Sequence, residues 1–172
     1  MTTRLGRLVT LATRYPRLGA LLLGAGAACG FQPAYGPKGT AEGLIGAVRA
    51  NDPTDKNSFD FVQHLEERLG RPTKPAYSLA YTITTAAIGA GITPDGAITR
   101  YTVTGGLDWT LTRLADQTRM AGGHIDAFTS YSATGSTVAG QTAQSDAYLR
   151  LMRLLGDDLV LRLIAASASF AP

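Results

Sequence analysis

Arg100-Tyr-Thr-Val-Thr-Gly-Gly-Leu-Asp-Trp-Thr-Leu-Thr112 alternates between two kinds of side chain. Tyr101, Val103, Leu107, Trp109 and Leu111 share one parity, with Gly105 in register among them. Arg100, Thr102, Thr104, Asp108, Thr110 and Thr112 share the other. Successive side chains of a strand point to opposite faces, so this period of two predicts a long strand with one buried and one polar face. Gly105-Gly106 in its middle predicts a bulge or a close approach by another element.

Working outward, Tyr77, Leu79, Tyr81 and Ile83 alternate with Ser78, Ala80, Thr82 and Thr84, which predicts a neighbouring strand. Gly89, Gly91, Pro94, Asp95 and Gly96 predict the turn-rich loop between the two. After a connection over 115–118, a third strand is expected near Met120 to Ala133, with Ile125, Phe128 and Tyr131 as its apolar anchors. Upstream, Leu44 to Arg49 reads as a short strand. Asp52 or Thr54 is expected to cap a helix over residues 55–69, with Pro53 in the first turn and Gly70 and Pro72 at its end. Phe59, Val62, Leu65 and Leu69 form its expected buried stripe. A second helix, about 139–166, carries Tyr148, Leu151, Leu155, Leu159 and Leu163 as its stripe. Asp146/Arg150 and Asp158/Arg162 are its acid-first pairs four apart, and Gly156 is its weak point. The order β-α-β-β-β-α predicts an α+β two-layer sandwich, with two helices on one face of a four-stranded sheet and the Thr-rich face open.

The chain has 172 residues and a formal charge of +3. Arg4, Arg7, Arg14 and Arg17 all precede Cys29, and no acid does. Beyond them stand 12 basic residues against 13 acidic ones. The basic balance therefore belongs to the N-terminal segment, which excludes a basic-domain argument for nucleic acid. That segment reads as a secretory signal: arginines, then the apolar run Leu18 to Ala28, then small residues up to Cys29. The run has eleven residues, against the ~20 a spanning helix needs. The lone Cys29 could be a small buried hydrophobe. Its place at the end of the small residues points instead to a lipid attachment site, although Gly26 stands where Leu is usual. Gly30, rather than Asp, after it points to the outer membrane. The expected organisation is a cleaved signal over 1–28, a lipidated Gly/Pro-rich tether over 29–42, and a domain over 43–172.

The sequence offers little chemistry. His64 and His124 sit in no metal spacing, and no nucleophile elbow or phosphate loop is present. No catalytic residue, metal or cofactor is expected. The cations outside the signal are of interest for an anionic partner: Arg71 and Lys74 flank Pro72, and Arg100, Arg113 and Arg119 lie on or beside the middle strands. Solvated surface charge is the ordinary reading of each. Trp109, Tyr101, Phe128 and Tyr131 are expected in the core.

Cys29-Gly-Phe-Gln-Pro-Ala-Tyr-Gly36 resembles the mature N-terminus of lipopolysaccharide-assembly lipoproteins of the LptE family in its alphaproteobacterial form, with Ala34 in place of the usual Leu. Leu65-Glu-Glu-Arg-Leu-Gly70, Ala97-Ile-Thr-Arg-Tyr101 and Phe128-Thr-Ser-Tyr-Ser-Ala-Thr-Gly-Ser136 add to the resemblance in the same order. It implies a non-enzymatic outer-membrane lipoprotein that plugs the lipopolysaccharide-translocating β-barrel LptD and binds lipopolysaccharide. It also implies two helices on a four-stranded sheet, and lipid-contacting basic residues on or near the strands, for which Arg71, Lys74, Arg100, Arg113 and Arg119 are the candidates. The alternative is a stand-alone periplasmic lipoprotein that carries an amphiphile in a groove between sheet and helices.

Overall fold

The alternating stretch becomes the second of three long strands. In the computed structural model the described residues are Gly36, Gly39 and 41–170. The expected signal segment and Cys29 lie outside them. In chain order come β1 (Val48–Ala50), α1 (Lys56–Leu69), β2 (Tyr77–Ile92), β3 (Ile98–Arg113), β4 (Arg119–Ser132) and α2 (Thr137–Ser167). The sheet order is β1-β2-β3-β4, with β1 parallel to β2 and the other pairs antiparallel. The architecture is the expected α+β arrangement.

One parity of the strands builds the core. Leu79 of β2, Val103, Leu107 and Leu111 of β3 and Ile125 of β4 are buried against Phe61, Leu65 and Leu69 of α1 and Leu151, Leu155, Leu159 and Leu163 of α2. Removing one such side chain costs ~2–5 kcal/mol, because the cavity left behind collapses only in part. The Phe61 and Tyr81 rings meet at 5.0 Å, and Tyr101 and Tyr131 stack at 5.3 Å. Gly105 brings no side chain to this face. A Cβ there would lie 3.0 Å from Leu151 Cδ2 and 3.2 Å from Leu155 Cδ1, so the glycine serves close approach by α2. The β3 register is continuous at Gly105-Gly106; the irregularities fall at Gly89–Ile92 and at Leu111/Thr112.

Several local expectations are corrected. Residues 41–47 form turns and the strand is only Val48–Ala50, with Ala41 and Leu44 buried before it. Asp55, not Asp52 or Thr54, caps α1: its carboxylate accepts from the Ser58 N–H at 2.7 Å, and Ser58 Oγ accepts from the Asp55 N–H at 3.0 Å. This reciprocal box satisfies two free donors of the first turn. The α1 stripe is Ser58, Phe61, Leu65 and Leu69, while Phe59 is 56% exposed and Val62 half-buried. At the other end, Gly46 at φ +65° donates its N–H to the Leu69 carbonyl at 2.7 Å, closing the helix. β2 runs on through Gly89 and Gly91 to Ile92, so the turn is confined to 93–97. Phe128 points away from the core and is 74% exposed.

The α2 stripe is as expected but wider, with Ala147, Met152, Gly156 and Val160 also buried. Gly156 lets the His64 ring of α1 lie against α2, 2.9 Å from where a Cβ would stand. His64 Nε2 is 3.0 Å from Asp157 Oδ1, and Arg68 reaches the same carboxylate at 3.4 Å. His64 thus fastens the two helices together. Asp146/Arg150 and Asp158/Arg162 pair as their spacing predicts.

Candidate binding face

The helices cover one face of the sheet and leave the other open. On that open face the pairing registers define successive rows across the strands. Arg49, Ser78, Thr112 and Arg119 form the row at one end. Next come Ala80, Thr110 and Gly122, then Thr82, Asp108 and His124, then Thr84, Gly106 and Asp126. Beyond these lie Ala86, Thr104 and Phe128, then Ile88, Thr102 and Ser130, and finally Arg100 beside Ser132. The face is therefore graded: cations at one end, acids in the middle, apolar side chains beyond them, and a single arginine at the far end.

In the middle, side chains hydrogen-bond to one another across and along the strands. His124 Nδ1 lies 2.8 Å from Asp108 Oδ1 across the β3–β4 pair, and its Nε2 lies 3.0 Å from Asp126 Oδ1 on its own strand. Acceptors on both nitrogens, Asp108 foremost, favour the protonated ring and hold His124 above the usual histidine pKa. Beside it is a shallow depression of about 620 Å³ lined by Thr84, Ala86, Thr104, Gly106, His124, Asp126 and Phe128, among others. The Thr84 and Thr104 hydroxyls donate to the Gly106 and Ala86 carbonyls, both at 3.4 Å. Among the described residues no cluster of His, Cys, Asp and Glu could hold a metal ion, and no helix is long and apolar enough to cross a membrane.

The basic candidates do not form one site. Arg119 and Arg113 lie at the end of the sheet where β2 begins, Arg113 beside Tyr77. Lys74 is tied to the same end, its N–H donating to the Gly46 carbonyl at 3.4 Å. Arg71 pairs with Glu66 at 3.6 Å and Arg113 with Asp116 at 3.3 Å, so part of their charge is compensated. Lys74, Arg100 and Arg119 have no ion pair among the described residues. Arg100 stands at the opposite end, roughly 44 Å from Arg113 at ~3.4 Å per residue of strand. Sequence reasoning missed Arg49, which shares the terminal row with Arg119, because that depends on the parallel register of β1 on β2. It also missed the Asp108–His124–Asp126 set. His124 and Asp126 share a parity in the sequence, but Asp108 joins them only through the β3–β4 register.

The lipopolysaccharide-assembly family model, LptE, matches residues 47–163. The chain belongs to this family, and its role lies in lipopolysaccharide assembly. Among curated proteins none matches the chain. Solved structures share the fold. A lipoprotein from Caulobacter crescentus CB15 is 20% identical, with a TM-score of 0.65, and the match covers 77% of this chain and 98% of that one. The rare lipoprotein B from Shewanella oneidensis is 11% identical, with a TM-score of 0.53 and coverage of 72% and 95%. Lipoprotein B from Nitrosomonas europaea is 10% identical, with a TM-score of 0.58 and coverage of 81% and 93%.

Proposed function

We propose that this protein is a non-enzymatic outer-membrane lipoprotein, anchored by lipid on Cys29, that seats in the lumen of the lipopolysaccharide-translocating barrel LptD and aids lipopolysaccharide transport. The observation that carries this reading is the sheet itself. One face is sealed by two helices, and the other is open, Thr-rich and polar. A barrel lumen is polar too, so a plug must be soluble by itself and hydrogen-bonding on its outside. Membership of the lipopolysaccharide-assembly family agrees with it. Carriage of an amphiphile between sheet and helices is less well supported, because Leu107, Leu111, Leu151 and Leu155 are fully buried in that space.

On this reading lipopolysaccharide phosphates meet the cationic end of the domain, with Arg49, Lys74 and Arg119 foremost and Arg71 and Arg113 weakened by their carboxylate partners. Arg100 makes a separate contact. Depletion in the native cell tests the role: surface-labelled lipopolysaccharide should fall and accumulate in the inner membrane. Normal surface lipopolysaccharide after full depletion would refute it. Mass spectrometry of the mature N-terminus should find acyl chains on Cys29.

A further inference from the structure

We propose that the depression over Gly106 receives an arginine or lysine side chain of the barrel partner, with Asp126 as its counter-ion and the Phe128 ring as its stacking plane. This rests on the barrel partnership proposed above and names the surface that makes it.

The charge decides the class of occupant. Asp108 and Asp126 share one imidazole, and the depression on the Asp126 side is lined by no arginine or lysine, so that side keeps a negative character. Arg119 is rooted two rows beyond the Asp108–His124 row, and its guanidinium lies over Gly122 on the Asp108 side of His124, where it lines a depression with Asp108 and His124 but not with Asp126 or Phe128. A phosphate would be repelled here, so this is not a place for the anionic lipid; a cation is attracted.

The shape decides the kind of cation. Gly106 floors the depression, and a Cβ there would crowd Thr84 Oγ1 at 3.0 Å and His124 Cε1 at 3.2 Å. The Thr84 hydroxyl and the His124 ring therefore close over the glycine, and a guest rests on them beside Asp126 rather than on the sheet backbone. The Asp126 side chain is 82% exposed, yet one of its oxygens is fixed by His124, itself fixed by Asp108. That chain of contacts orients the carboxylate and leaves its second oxygen to accept from a guest. Phe128 is two residues further along β4, so its ring stands on the same face, 74% exposed, in the row of Thr104 and Ala86. Carboxylate beside aromatic ring is what a guanidinium takes in, bidentate at its edge and stacked on its plane. A bare metal ion would make no use of the ring.

The test uses the full-length chain in its native cells. The barrel co-isolated with wild type is compared with that recovered by Asp126→Lys, Asp126→Asn, Phe128→Ala and Asp126→Glu. A photo-crosslinking residue in place of Thr104, and another in place of Arg153 on the exposed side of α2, report contact directly. Recovery should drop by about tenfold for Asp126→Lys, as the loss of one charge-assisted contact implies, and less for Asp126→Asn and Phe128→Ala. Asp126→Glu should recover much of it, melting temperatures should stay near wild type, and position 104 should crosslink to the barrel. Wild-type recovery by Asp126→Lys together with no crosslink from position 104 overturns the docking site while leaving the partnership intact. No barrel recovered by the wild-type chain overturns both.

Discussion

Gly105 and His124 show how single residues shape the two faces of the sheet. Gly105 has no side chain because Leu151 and Leu155 occupy the place of its Cβ, three of their atoms within 3.2 Å. Gly105→Ala should lower stability by ~1–3 kcal/mol through overpacking, although alanine is the less flexible residue. Urea unfolding measures this; an unchanged or raised midpoint would mean that α2 yields easily. On the open face, His124 is held above its usual pKa by Asp108 and Asp126. Its contribution to stability is therefore fully present below the unfolded histidine value of ~6.5 and is lost as the pH rises through the folded value. The melting temperature of wild type minus that of Asp108→Asn should be largest near pH 6 and shrink toward pH 8.5. A difference that grows with pH would contradict the assignment.

At the scale of elements, α1 depends on its start. Asp55→Ala should destabilise the protein by ~1 kcal/mol in thermal or urea unfolding, whereas Asp52→Ala and Thr54→Ala should change little. Equal losses at Asp52 would restore the sequence-based cap. The two helices and three long strands were legible because their patterns are long. Parity alone gave Tyr77–Ile83 and Tyr101–Leu111 their correct faces. The α1 stripe was not decided by spacing, since Phe59-Val62-Leu65-Leu69 and Phe61-Leu65-Leu69 both have helical periods. What chose between them was the capping box, which buries Ser58, and the neighbouring Tyr81 ring. In β4, Ile125, Phe128 and Tyr131 are spaced by three, so a strand cannot hold them all on one face. Phe128 is the one that faces out, and with it went part of the candidate site.

Across the whole molecule, one face supplies the core and the other carries a gradient of charge. That gradient was only partly legible in the sequence. The basic residues could be counted, but the registers were needed to place Arg49 beside Arg119, to set Arg100 far from both, and to join Asp108 to His124. Arg49→Glu with Arg119→Glu should weaken lipopolysaccharide binding by the purified domain by about tenfold at low salt, and by less at high salt, where screening shortens the reach of the charges. Arg113→Glu should cost less, because Asp116 already compensates that arginine. Equal losses would argue against a cationic end that acts as a unit. The central claim is that this domain works inside a barrel, and purification of the lipidated chain from native outer membranes tests it most directly. Native mass spectrometry should show a one-to-one assembly with the lipopolysaccharide-translocating barrel. A chain recovered from those membranes as a monomer, with no barrel bound, would contradict it.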